Sequence, residues 1–337
     1  MPETIQEGGH VVAATPAPAG AAEGRPPLSL LQLLLEYASR DPRVCYVGVD
    51  TMIPEFQQRF PERAFDVGIA EQDQLGVATG LAHAGMIPVV QAVAPFTPLR
   101  NFEQLRTSLA RHRANVKIVA AALGLINNSH GATHHDMESL ALYRVVPNLV
   151  VLSTYGAGQF ERAFRLAMAH DGPVVLLSPA GNYAPGREGR EPLPIPADRP
   201  IEVGRSEWLL EGEDVALLTF GPALVYSYRA AERLRKAGIK AGVLHMTSLK
   251  PLDVAAITAA AGHYRALLSV EEQSIYGGLG SAVAEVLAEH GGAVRFRRLG
   301  IPDVFVEDVG DYTEMRATVG LTVDGVEAAV RHLLAGA

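Results

Sequence analysis

With 337 residues, 48% of them hydrophobic, the chain is long enough for two domains and apolar enough to give each a core. Its 29 Lys and Arg against 37 Asp and Glu give a net charge of −8, which offers no basic face and argues against nucleic acid as a partner. No stretch reaches the roughly twenty continuous apolar residues that span a bilayer, and the N-terminus lacks a basic run followed by an apolar core; no membrane partner is expected, and the cytoplasm is the expected location.

Residues 1–27 are rich in Ala, Pro and Gly without an apolar period, so they bury too little to offset their ordering entropy and are expected to form a disordered tail. Strand-like and helix-like runs then alternate: helix 30–39, strands 44–49 and 65–69, helix 71–84, strand 88–93, helix 101–111, strand 116–121, helix 137–143, strand 149–153, helix 157–169 and strand 173–177. The single cysteine, Cys45, lies inside the first apolar strand and reads as core rather than as nucleophile or metal ligand. Pro179, Pro185, Pro192, Pro194, Pro196 and Pro200 then interrupt any regular element. Alternation resumes with strand 215–220, helix 223–237, strand 241–246, helix 253–260, strand 266–270, helix 280–289, strand 294–299 and helix 323–334. This pattern predicts an α/β fold: a parallel-sheet domain with helices on both faces over 28–180, a linker over 181–204, and a smaller α/β domain over 205–337.

Glu71 falls where a short strand turns into a helix, at the edge of an open α/β sheet where ligands bind. A carboxylate there is also what a helix start favours, as a capping acid close to exposed N–H groups. Phe96 follows the strand that ends at Val93 and, on its own, reads as an ordinary core aromatic. The loop 124–138 carries His130, His134 and His135, three histidines in six positions, which packing does not explain. Zinc is the rival reading, but the spacing matches no metal-ligand pattern, and no metal site is assigned. Gly278-Leu279-Gly280 begins a dinucleotide-binding pattern that fails at Val283, so its glycines are expected to serve a tight turn from strand into helix.

Several unlinked runs occur in one order: Ile69-Ala70-Glu71-Gln72 with Gly76, Gly80, Gly85 and Pro88 behind it, then 96–106, the loop 124–138 with Gly131-Ala132-Thr133-His134, Pro147-Asn148-Leu149-Val150-Val151, and 271–282. Together, from about Leu30 to the C-terminus, they resemble the transketolase family, in its pyrimidine-binding and C-terminal domains. The resemblance implies thiamine diphosphate as cofactor, with Glu71 hydrogen-bonded to the aminopyrimidine ring nitrogen and Phe96 packed on the ring. Val93, Ile69 and Arg100 complete the cofactor-side set. It also implies that His134 reaches the oxygens of the substrate, with His130 beside it. Gly-Asp-Gly, which with a later Asn-Asn holds the diphosphate and Mg2+ in the family, does not occur in the sequence, and Asn127-Asn128 lacks that motif ahead of it.

The expectation is therefore a C-terminal subunit of a split transketolase. Its partner would be an N-terminal subunit carrying the diphosphate-binding domain and the Mg2+ ligands, in a heterotetramer of two plus two. It would transfer a two-carbon ketol or acyl unit from a small ketose or 2-oxo acid. Sugar-using members carry Gly-Glu-Asp-Gly ahead of the Ala-Thr-His, where this chain has Asn128-Ser129-His130-Gly131, and the arginine used against a sugar phosphate is missing from 176–180. An ordinary pentose phosphate is thus not the expected substrate. The alternatives are the beta subunit of a 2-oxo acid dehydrogenase, a deoxyxylulose-phosphate-synthase-like enzyme, and a non-catalytic assembly subunit.

Overall fold

The computed structural model describes residues 26–50, 52–178, 193–194, 199–290 and 293–336. Its strands, in chain order, are β1 (Val44–Gly48), β2 (Ala64–Asp66), β3 (Ile87–Val93), β4 (Lys117–Ala121), β5 (Val150–Ser153) and β6 (Val174–Ser178), then β7 (Glu207–Leu210), β8 (Val215–Thr219), β9 (Ala241–His245), β10 (Ser248–Lys250), β11 (Ala266–Ser274) and β12 (Arg295–Ile301). They form two sheets, β10-β5-β6-β4-β3-β1-β2 and β12-β11-β8-β9-β7. Among the described residues every pairing of these strands is parallel except β10 on β5 and β7 on β9. The α/β class is thus as the alternation predicts, and the central strands β4 and β6, buried at every position, are the continuous apolar runs that a sheet covered on both faces demands.

The departures have local causes. The short antiparallel strands β7 and β10 sit at sheet edges, and neither has the length or alternation that marks a strand in sequence. The expected strand 65–69 stops at Asp66, whose Oδ1 accepts from the Gly68 N–H and turns the chain out; Ile69 is left 76% exposed. The expected helix 101–111 opens with a separate turn, Phe96–Leu99, and continues as a π-helical stretch, Gln104–Ala110. Short helices Pro54–Arg59 and Tyr312–Thr318 went unpredicted. The expected tail and linker lie mostly outside the described residues.

The two sheets do not keep separate cores. One buried cluster runs from Val47, Ile118 and Leu123 of the first sheet's side to Leu218, Phe220, Leu244 and Leu279 of the second's. β10 follows β9 in the chain yet adds itself to the first sheet. Beside it, Lys250 Nζ donates to the carbonyls of Tyr143, Arg144 and Val146 at the end of helix Ser139–Val145. A cation there meets the carbonyl end of a helix dipole.

β11 runs four residues past the predicted end at Val270, carrying Glu271, Glu272 and Gln273 into full burial. Glu271 accepts from the N–H groups of Leu279 and Gly280, both at 2.7 Å, and so caps helix Leu279–His290. Burial still pushes its carboxyl up to about 7, against the lowering effect of those two N–H groups. The glycine run is therefore a capping cradle for a buried acid: a Cβ at Gly278 would run into Glu271 Oε2 and lie 2.8 Å from Ser274 O. Gly278→Ala is expected to cost about 1–3 kcal/mol of stability by overpacking this cap. A lowered Tm in thermal unfolding checks this, and an unchanged Tm contradicts it.

Candidate functional site

β1 leads to β2 on one side and the chain returns to β3 on the other, so the loops leaving the carboxyl ends of β2, β3 and β4 gather at one edge of the first sheet. Glu71, the first residue of helix Glu71–His83, sits there 2% exposed. Its carboxylate is not spent on capping its own helix. Arg100 Nη1 donates to Glu71 Oε2 at 2.9 Å, and the same guanidinium lies 4.5 Å from the centre of the Phe96 ring. One planar cation thus spans a buried acid and an aromatic face, which is a geometry suited to arginine's fork and to ring stacking.

The turn that carries Phe96 is pinned from below. Asn101 Nδ2 donates to Glu71 O at 3.2 Å and to Thr97 Oγ1 at 3.1 Å, and Tyr143 OH donates to Thr97 O. Asn101, Thr97 and Tyr143 are all buried. From the helix side, Gln74 Nε2 donates to Val47 O at 2.7 Å and Gln91 O at 3.1 Å, tying Glu71's helix to β1 and β3. None of these four was singled out in the sequence. Gln74 carried a usable signal, a polar residue buried on the helix face that also holds Leu75 and Ala78.

The loop after β4 brings the histidines in from the other side. The His134 ring meets Phe96 edge-on, with centroids 5.0 Å apart and planes at 73°, and the His130 ring lies 4.7 Å from that of His134. Thr133 Oγ1 is 2.9 Å from His134 Nδ1 and Ser129 Oγ is 3.0 Å from His130 Nδ1. Burial first, then the neighbouring His130 and Arg100, hold the His134 imidazole below the usual histidine range. His135 is buried and turned away, with Nδ1 3.1 Å from Val306 O. The three imidazoles do not converge, and among the described residues no group of three or more His, Cys, Asp or Glu could hold a metal ion.

The structure therefore brings Glu71, Arg100, Phe96, His134 and His130 into one run of side-chain contacts. Val93 ends β3 half-buried, three residues before Phe96, and Ile69, two residues before Glu71, is exposed. The arrangement offers a buried acceptor, an apolar face for a flat ring, and two imidazoles with exchangeable protons. An aminopyrimidine fits the first two features, since Arg100 already shows that a planar N–H donor satisfies both at once. Among the described residues no helix is long and apolar enough to cross a membrane.

Comparison with known proteins gives the site a lineage. A family model described as the transketolase pyrimidine binding domain matches residues 29–185, and one described as the transketolase C-terminal domain matches 204–326. The chain is 35% identical to the 6-deoxy-6-sulfo-D-fructose transketolase subunit SqwH of Clostridium sp. (strain MSTE9), covering 90% of this chain and 92% of that protein. It is 34% identical to an apulose-4-phosphate transketolase subunit of Phocaeicola vulgatus, with 88% and 94% covered. The 1-deoxy-D-xylulose-5-phosphate synthase of Thiobacillus denitrificans is 37% identical over 97% of this chain, but the chain spans only 52% of that protein's length. Among solved structures, a split gene transketolase described as an inactive beta4 tetramer superposes with a TM-score of 0.79 at 36% identity, covering 90% of this chain and 96% of its own. The chain belongs to the transketolase family, in which it carries the pyrimidine-binding and C-terminal domains.

Proposed function

We propose that this chain is the C-terminal subunit of a thiamine-diphosphate-dependent, transketolase-like transferase that moves a two-carbon ketol or acyl unit in the cytoplasm. Residues 28–180 form the pyrimidine-binding domain, 181–204 the linker and 205–337 the C-terminal domain. A second polypeptide supplies the diphosphate-binding domain and the oxygen ligands of Mg2+, in an assembly of two plus two. The observation that carries this reading is the guanidinium of Arg100, held between the Glu71 carboxylate and the Phe96 ring. Those are the two contacts an aminopyrimidine requires, an acid at its ring nitrogen and an apolar face beneath the ring. The relatives that are named as subunits and match this chain over nearly their whole length support the split.

Thiamine diphosphate, when bound, supplies a carbon nucleophile that attacks a carbonyl and stabilises the charge left after carbon–carbon cleavage. Glu71 holds the proton at the pyrimidine nitrogen, and its burial keeps water from competing for that proton. Phe96 would align the ring, Val93 and Ile69 would complete the cofactor-side set, and Arg100 would give up its contacts with Glu71 and Phe96 to the ring. His134, whose imidazole burial holds below the usual histidine range, donates a hydrogen bond to the substrate oxygen or shuttles a proton there, and His130 shares that task. With an imidazole at His130, where sugar-using members carry an acid, the donor is a ketose or 2-oxo acid other than an ordinary pentose phosphate.

A second reading, acyl transfer from a decarboxylated 2-oxo acid, is favoured by the deoxyxylulose-phosphate synthase relatives. Hydroxypyruvate and pyruvate, each offered to the assembled complex with an aldehyde acceptor, separate the two: turnover with hydroxypyruvate alone supports ketol transfer, and turnover with pyruvate supports acyl transfer. Glu71→Gln in that complex is expected to lower turnover by about 10²–10⁴-fold, the range for loss of a positioned acid or base. Unchanged turnover removes the role from Glu71. Saturable binding of thiamine diphosphate with Mg2+ is expected for the pair of subunits and not for this chain alone, as read by calorimetry; tight binding by the isolated chain contradicts the shared site.

A further inference from the structure

The reactive face of the histidine loop looks toward Phe96, while its back is fastened to the second sheet. At the loop's start, Leu125 N donates to Glu272 Oε2 at 3.1 Å, and Tyr312 OH donates to the other carboxylate oxygen at 2.5 Å. Gly124, at φ +71°, makes room for this contact: a Cβ there would lie 2.6 Å from Glu272 Oε2. At the loop's end, Gln273 Nε2 donates to Asp136 O at 2.5 Å and to Asp136 Oδ2 at 3.0 Å, while Gln273 Oε1 accepts from Leu140 N at 3.1 Å. Ser274 N donates to Met137 O at 2.7 Å, and Asp136 N donates to Gly124 O at 2.9 Å, which closes the two ends on each other. Asp136, Glu272 and Gln273 are each no more than 2% exposed. Asp136 Oδ1 is buried without a hydrogen-bond partner among the described residues, but the other side-chain polar atoms of the three are paired, and buried groups so paired hold a segment in one arrangement.

Resting on the reading of His134 given above, we propose that Gln273 and Glu272 are positioning residues for His134. They clamp both ends of the loop 124–138 to the second domain, so that the imidazole's place beside Phe96 is set by residues that hold the loop from behind. Gln273 is the stronger arm because one side chain engages Asp136, two residues from His134, and the first turn of helix Ser139–Val145 at once. Tyr312 acts one step further back, by orienting Glu272 on Leu125.

A double-mutant cycle in the complex with the diphosphate-binding subunit, with hydroxypyruvate as donor, tests this. Gln273→Leu is expected to lower kcat by about 10–100-fold, the scale for a displacement of about 1 Å at a reacting group, with KM changed less than about threefold. In a His134→Ala background the same substitution is expected to change kcat less than about twofold, because a residue acting through His134 has nothing left to place. Tyr312→Phe, which deletes one hydroxyl, is expected to give a smaller loss with the same non-additivity, and it decides the matter if Gln273→Leu does not fold. In NMR spectra of the isolated chain, Gln273→Leu, or Tyr312→Phe in its stead, is expected to shift the His134 ring resonances, identified by their loss in His134→Ala. Unchanged kcat, losses that multiply fully in the two backgrounds, or unshifted His134 resonances overturn the clamp. Unchanged kcat in His134→Ala alone overturns the role of His134 itself, and is told apart because it needs no change at 273 or 312.

Discussion

A carboxylate withdrawn from water at a strand-to-helix junction has to be paired, and the candidate site is arranged around how Glu71 meets that demand. Its 3% exposed side chain is matched by a guanidinium whose own side chain is 48% exposed, so one partner is fixed in the fold and the other can move to solvent. Because Arg100 rests on Phe96 as well as on Glu71, exchange of this cation for a flat heterocycle would preserve both contacts without leaving the acid unpartnered. The buried acid, the ring and the turn 96–101 are further held together by Asn101, Thr97 and Tyr143.

That arrangement depends on both sheets. The first presents the loops; the chain that builds the second reaches across to it by adding β10 to the first sheet, through Lys250 on the end of helix Ser139–Val145, and through the polar end of β11. A shared apolar cluster backs these polar contacts. The two domains are thus one scaffold around the histidine loop, which lies across their junction.

Much of this was legible in the amino-acid sequence, for reasons that differ by element. Strands β1, β3, β4, β6, β8 and β9 stood out because a strand buried on both faces is a continuous apolar run bounded by turn residues. The histidines of 124–138 were marked by a clustering that packing does not explain, whereas Glu71 and Phe96, which alone read as a capping acid and a core aromatic, were marked only by the family resemblance; the fold brings Glu71, Phe96 and His134 into contact with Arg100 and His130. The polar end of β11 was not legible: the burial of Glu271-Glu272-Gln273 is made tolerable by partners between 8 and 147 positions away, among them Leu279, Gly280, Tyr312, Asp136, Leu140 and Leu125. The same holds for β10, whose place in the first sheet is a tertiary choice with no local period behind it.

The central claim is that Glu71 serves a heterocycle's ring nitrogen while another polypeptide holds the charged end of the same molecule. A structure of the assembled oligomer with thiamine diphosphate bound tests it most directly. The account predicts a Glu71 carboxylate oxygen within hydrogen-bond distance of the pyrimidine nitrogen, the ring on Phe96, and Arg100 moved off that face. A ligand bound elsewhere, with Glu71 and Arg100 still joined, would contradict it.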